Sequence, residues 1–267
     1  MTENTVLNLA LAQAPADLGN VADRLDWLAT ILPNVAVAKA DLLLLPELFA
    51  CGYSIGAAIR DRAEPRDGPI AKAIGGLAQE HGVAIHYGYA EAAHGTIYNA
   101  AQAFGPDGQT LVHQRKLAIP PGFEREFFAP GKGCTLFELN GIRIATLICY
   151  DAEFPETVRH VARMGAEVVL VPTALGAAWD WVARTMIPTR AYENGVYLAY
   201  ANSAGREGDM DFLGASVIAA PNGVELARAG ATPEILVATL TKDRVRAAQS
   251  RLPYVNEYRD LPLGPSD

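Results

Sequence analysis

The chain reads as an α/β fold of two mixed β-sheets packed face to face, with helices outside. Three observations predict this. Apolar runs of strand length alternate with segments of helical periodicity. Hairpin turns interrupt that alternation, so the sheets cannot be purely parallel. The strands are also too many for one doubly wound sheet, whereas two stacked sheets bury every apolar run.

Val6 to Ala14 is the first strand. Asn20 is placed to cap a helix with Val21, Leu25, Leu28 and Leu32 on one face, and Asp23 suits its first turn. Asp41 to Leu45 is a continuous apolar strand, the pattern of burial on both faces, and it stops at Pro46-Glu47. A helix fits Pro69 to His81, closed by Gly82. Val83 to Ala90 and Thr96 to Phe104 are strands around a His94-Gly95 turn. Gly105-Pro106-Asp107-Gly108 turns into a strand at Leu111 to Gln114. Ile142 to Ile148 is a strand, and a helix opens at Pro155 with Val158, Val161 and Ala162 inward, closing at Gly165. Val168 to Val171 is buried strand. Trp179 to Asn194 is helical, with Pro188 expected to kink or restart it. Val196 to Ala201, Leu213 to Ala220 and Ile235 to Leu240 are strands, with a Pro221-Asn222-Gly223 turn and a short helix from Lys242 to Gln249. No linker or repeat divides the sequence, which reads as one domain over 1–267.

Half of the 267 residues are hydrophobic, enough for a large core, and the net charge of −8 argues against nucleic-acid binding. No apolar run is long enough to span a membrane. Met1-Thr2-Glu3-Asn4-Thr5 lacks the basic start of a signal peptide, and three sparse cysteines (Cys51, Cys134, Cys149) fit a reduced compartment, so a cytoplasmic location is expected. His81, His86, His94, His113 and His160 have no zinc-ligand spacing and read as structural or surface residues. No phosphate-binding glycine loop occurs. No cofactor and no metal are expected.

Three polar residues directly follow apolar strands: Glu47, Lys116 and Cys149. Ligands bind at such strand ends because side chains from several strands converge there. Each residue alone has an ordinary explanation: a helix-start carboxylate, a solvated rim lysine, a core thiol. Together they complement one another. A desolvated glutamate takes a thiol proton, and a lysine and the Tyr150 N–H hold the oxyanion that forms when a thiolate attacks a carbonyl. The helix expected at Pro155 would also favour the thiolate through its N-terminal partial charge.

These residues resemble the Glu-Lys-Cys triad of the nitrilase superfamily, the carbon–nitrogen hydrolases, over roughly Leu7 to Tyr258. Leu-Leu-Leu-Leu-Pro-Glu47 is similar to the family's general-base segment, and Arg115-Lys116 to its lysine segment. Cys149-Tyr150-Asp151-Ala152-Glu153-Phe154-Pro155-Glu156 is similar to the nucleophile segment of the aliphatic amidase branch. Phe123 to Gly131 resembles the loop with a second glutamate, placing Glu124 there, and Arg190-Ala191-Tyr192-Glu193-Asn194 resembles a structural helix end. The chain departs in reading Lys116-Leu117-Ala118-Ile119 where many members have an imidazole two residues after the lysine, and in carrying Pro188.

The resemblance implies a four-layer αββα sandwich, a homodimer or higher homo-oligomer through the Pro155 helix, and an amidase acting on small aliphatic carboxamides through a cysteine thioester. Glu124 would orient the substrate or tune Lys116. Tyr53, Phe154, Ala174, Trp179 and Trp181 are expected around the substrate, and Asp151 or Glu153 would favour an amine-bearing one. The runner-up is an ω-amidase or N-carbamoyl amino acid hydrolase, with Arg184 or Arg206 as carboxylate fork. Other classes are a redox-sensing thiol protein with Cys51 and Cys134 as resolving partners, and a non-catalytic binding subunit.

Overall fold

The computed structural model describes residues 5–257, so Met1 to Asn4 and Tyr258, the last position of the family resemblance, lie outside the described residues. In chain order the elements are β1 (Val6–Gln13), α1 (Val21–Val37), β2 (Leu42–Leu44), α2 (Ala58–Arg62), α3 (Pro69–His81), β3 (Ala84–Ala93), β4 (Thr96–Phe104), β5 (Thr110–Arg115) and α4 (Glu124–Phe127). There follow β6 (Leu136–Leu139), β7 (Ile142–Thr146), α5 (Pro155–Arg163), β8 (Val168–Pro172), α6 (Ile187–Asn194) and β9 (Tyr197–Ala201). The chain continues through β10 (Ala204–Glu207), β11 (Met210–Leu213), β12 (Val217–Ala219), β13 (Glu225–Arg228), β14 (Glu234–Thr241), α7 (Lys242–Arg251) and α8 (Tyr254–Glu257).

Two six-stranded sheets form, ordered β14-β1-β2-β3-β4-β5 and β13-β12-β9-β8-β7-β6. Each has a parallel centre, β1-β2-β3 in one and β7-β8-β9 in the other, with antiparallel strands on both flanks. The alternation of strand side chains explains the layers. Leu9, Leu11, Leu42 and Leu44 of the first sheet meet Ile142, Ile144, Val168 and Leu170 of the second in one buried cluster. The intervening Ala10, Leu43 and Leu45 turn the other way onto Leu28 and Leu32 of α1 and Ile70 and Ile74 of α3. Ala145, Val169 and Val171 likewise turn onto Val158 and Val161 of α5 and Ile187 of α6. The layers are therefore helix, sheet, sheet, helix, and the Leu42–Leu45 run is apolar throughout because it packs on both faces.

Asn20 caps α1 as expected, in a reciprocal box with Asp23, and Gly82 closes α3 in the left-handed region. The expected helix over Trp179 to Asn194 is instead a 3₁₀ turn (Ala177–Trp179), a π turn (Val182–Met186) and then α6, with Pro188 in the first turn of α6 where its missing N–H costs nothing. The expected strand Leu213 to Ala220 is two strands. Leu213 ends β11, and β12 begins only at Val217, because Gly214 and Ala215 both take positive φ. The ribbon β10–β11 stands apart from both sheets.

Candidate active site

Glu47, Lys116 and Cys149 each lie just beyond a strand, after β2, β5 and β7 respectively. Glu47 lies in the turn after β2, where Leu48 adopts φ 50°. This turn presses on β3 so closely that a Cβ at Gly88 would stand 2.4 Å from the Leu48 nitrogen and 2.8 Å from Glu47 Cα. The Glu47 N–H also reaches Thr173 O of the other sheet's β8 segment at 3.4 Å. Lys116 follows β5, its N–H donating to Asn99 O of β4 at 2.8 Å. Cys149 follows β7 and holds φ 47°, a left-handed backbone that is uncommon outside glycine and marks a constrained turn.

Lys116 is fully buried between two glutamates. Its Nζ donates to Glu47 Oε1 at 2.7 Å and to both oxygens of Glu124 at 2.8 Å. Asn99 Nδ2 donates to Glu47 Oε1 at 2.6 Å and to Glu124 Oε2 at 3.3 Å. Tyr53 Oη donates to Glu124 Oε1 at 2.7 Å. Glu47 Oε2 is buried without a hydrogen-bond partner among the described residues, as is Asn99 Oδ1 beside it. Glu47 Oε2 is the one carboxylate oxygen of Glu47 and Glu124 that accepts no hydrogen bond there.

The electrostatics follow from burial. Desolvation pushes Glu47 up to about 7; Lys116 pulls it down and Glu124 pushes it up. Burial works against the Lys116 charge, but Glu47, Cys149 and Glu124 together raise it above its ordinary value. Burial, followed by the charge of Glu47, drives the Cys149 thiol well above its ordinary value, with Lys116 opposing. The expected thiolate at a helix N-terminus is therefore corrected. A 3₁₀ turn, Cys149–Glu153, intervenes, and α5 opens only at Pro155, so Cys149 is not in the first turn of that helix. The thiol rests protonated and needs a base.

Asp151 is also corrected. It is fully buried, with its carboxylate accepting N–H groups of Leu117 (3.0 and 3.2 Å), Ala118 (2.8 Å) and Ile148 (3.1 Å). Burial pushes it up to about 6 against those bonds. It clasps the chain after Lys116 to the residue before Cys149 and has no oxygen left for a substrate. The Leu117–Ala118 turn is held through its backbone. Glu153 is only half-buried, and its pKa is raised by burial against the fields of Lys116 and Arg190.

The remaining expected pocket residues divide. Tyr53 and Ala174 are buried in one apolar cluster with Phe212, flanked by Phe123 and Met210. Trp179 and Trp181 are 64% and 70% exposed, not packed as a wall; they lie where a 3₁₀ turn gives way to a π turn. Phe154 is partly exposed and stacks edge-on against Tyr150 at 4.9 Å. Sequence reasoning missed Asn99. Its signal was one of two amides, with Gln102, inside the otherwise largely apolar strand Thr96–Phe104. Cys51, Cys134 and Cys149 are all free and pack in three different apolar clusters.

The family profile described as carbon–nitrogen hydrolase matches residues 8–250. The chain belongs to the carbon–nitrogen hydrolase family, the nitrilase superfamily. A hydrolase of Pseudomonas protegens is 40% identical over 256 residues, 95% of this chain and 89% of its own length. An (R)-stereoselective amidase of a Pseudomonas species is 33% identical over 95% of this chain and 92% of its own. The crystal structure of an amidase from Nesterenkonia sp. superimposes with a TM-score of 0.84 at 30% identity, covering 95% of this chain and 97% of that one. Further structures of that amidase hold butyramide, and acrylamide added to its active-site cysteine. This carbon–nitrogen hydrolase is a cysteine-dependent enzyme of the αββα sandwich fold, acting on small molecules. Among the described residues no helix is long and apolar enough to cross a membrane.

Proposed function

We propose that this carbon–nitrogen hydrolase is an amidase that converts small aliphatic carboxamides to carboxylic acid and ammonia through a thioester on Cys149. The observation that carries the reading is the buried ammonium held between two carboxylates, one of which keeps an oxygen unpaired. Glu47 takes the thiol proton, and the sulfur attacks the amide carbon. The C=O becomes an oxyanion, stabilised by the Lys116 charge and the Tyr150 N–H. Losing one such donor costs about 3–4 kcal/mol of barrier. Glu47 returns the proton to the nitrogen as the C–N bond breaks, and ammonia leaves. Glu47 then takes a proton from water, whose oxygen attacks the thioester, and the carboxylic acid leaves as the proton returns to sulfur. Glu124 positions Lys116 throughout.

The apolar cluster of Tyr53, Ala174 and Phe212 beside Glu124 supports an aliphatic acyl group. Glu153, half-buried near Lys116, supports amino-bearing amides within that class. The ω-amidase and carbamoylase reading needs a fork for a substrate carboxylate. Arg184 and Arg206 are more than half exposed and already paired, with Asp180 and Asp211, which favours the neutral or amine-bearing substrate. The separate packing of the three cysteines speaks against a resolving-thiol switch. A homodimer through α5, whose neighbour Phe154 is partly exposed, and a cytoplasmic location belong to the same proposal.

The test is ammonia release over C2 to C6 amides with and without ω-amino or ω-carboxyl groups, with intact mass recorded in parallel. Neutral or amino amides should turn over and load an acyl group on Cys149, and Cys149→Ala should lose both while keeping the fold. Turnover of Cys149→Ala within tenfold of wild type would overturn the scheme.

A further inference from the structure

The ribbon β10–β11 belongs to neither large sheet, yet its Glu207 side chain is only 10% exposed. Glu207 Oε1 pairs with Arg24 Nη2 at 2.5 Å. Its other oxygen, Oε2, accepts the N–H groups of Tyr53 at 2.8 Å and Ser54 at 2.6 Å. Arg24, 5% exposed on α1, also gives Nη1 to Phe49 O at 3.1 Å. One buried ion pair thus ties together α1, the segment that runs on from Glu47, and the ribbon. Gly52 takes φ 98°, and a Cβ there would stand 2.7 Å from Glu207 Oε1, so the chain leaves room for this carboxylate.

Tyr53 is the residue so clamped. Its backbone is held by Glu207, and its hydroxyl reaches Glu124. Its ring packs edge-on against Phe212 of the same ribbon, 6.2 Å between centroids, and against Phe123 at 5.0 Å. The ribbon therefore supplies both the clamp on Tyr53 and an aromatic neighbour to its ring. Buried ion pairs seldom raise stability over apolar packing; their best-attested use is fixing register.

We propose that Glu207 is a positioning residue that sets which acyl chains the active site accepts, by fixing Tyr53 and Phe212 relative to Glu124. This rests on the amidase reading for its substrates. Glu207 acts through Tyr53 and touches no reacting atom. Only a carboxylate offers acceptors to both Arg24 and the paired N–H groups; a glutamine turns an NH₂ against one of them.

The experiment compares wild type with Glu207→Gln in two assays. One measures kcat and KM for acetamide, butyramide and hexanamide. The other measures alkylation of Cys149 by bromoacetamide and bromohexanamide, read by intact mass, which needs no turnover. A pocket that discriminates single methylenes does so by tens of fold, so a loosened wall should shift the short-to-long preference at least about fivefold in both assays, mainly through KM. A merely structural role lowers the active fraction and scales every substrate alike, leaving the ratio unchanged. Combining Glu207→Gln with Tyr53→Phe should give less than the sum of the separate effects. Should Glu207→Gln fail to fold, Arg24→Lys keeps a cation beside Glu207 and loosens the guanidinium contacts, with the same shift expected. A size preference unchanged in the folded variant overturns the proposal. Wild type that is alkylated with size preference but releases no ammonia overturns the amidase reading instead.

Discussion

Glu47 gives one carboxylate oxygen to Lys116 at 2.7 Å and keeps the other buried and unpaired. The shared oxygen fixes the side chain, and the free one is left for proton traffic. Under the proposed mechanism Glu47 must start ionised, and burial has moved it from an ordinary 4.5 to about 7. The rate constant kcat/KM should therefore rise with pH along a limb near 7 that belongs to the coupled Glu47–Lys116–Glu124 group. Two units below that limb the rate should be roughly a hundredfold lower. Glu47→Gln should lower kcat at least about a thousandfold and remove the limb. The stability effect has the opposite sign. The raised value favours the protonated form, so Glu47's contribution is full below 4.5 and is lost as pH rises through about 7.

Gly88→Ala places a methyl group against the Glu47 turn, where a Cβ would be 2.4 Å from a backbone nitrogen. Backbone cannot swing aside as a side chain does. The variant should lose about 1–3 kcal/mol of stability and lose activity out of proportion to it. Thermal unfolding beside ammonia release checks this; activity that merely tracks the folded fraction would contradict it.

Asp151→Ala leaves the N–H groups of Leu117, Ala118 and Ile148 without their acceptor. At roughly 1–3 kcal/mol for each buried orphan, the loss should reach about 3 kcal/mol or more. Urea unfolding measures it. Asp151→Asn, which keeps one acceptor oxygen, should lie between the two.

Glu91 lines a surface depression of about 870 Å³ with Arg66, His94 and Lys132. Burial raises it, but the Arg115 fork at 2.6 and 2.8 Å, followed by His113, holds it down at about 2. With the folded value depressed below an ordinary 4.5, its contribution is present above 4.5 and lost as pH falls toward 2. The Tm difference between wild type and Glu91→Gln should shrink across that window. A constant difference would refute the assignment.

The sequence exposed the layers wherever burial wrote itself into composition. The Leu42–Leu45 run and the helix caps at Asn20 and Gly82 could be read directly, because two-sided packing and left-handed closure restrict residue choice. Glu47, Lys116 and Cys149 were legible as polar residues ending apolar strands, and Glu47 pairs with Lys116 at 2.7 Å. The β10–β11 ribbon was not legible. Residues 204–213 alternate weakly, and the ribbon is held by a salt bridge, by Phe212 and Met210, and by backbone bonds to residues 14, 16 and 175. The 3₁₀ turn at Cys149 escaped as well, since the residues before Pro155 carry no sequence mark that separates such a turn from a helix start.

The carboxylate and the sulfur ride on different sheets, Glu47 on the first and Cys149 on the second. Under the proposed mechanism, a slip of one sheet over the other by about 1 Å would leave every ladder intact and still cost roughly a hundredfold in rate. Turnover is thus a finer gauge of how the two halves are registered than any measure of folded content.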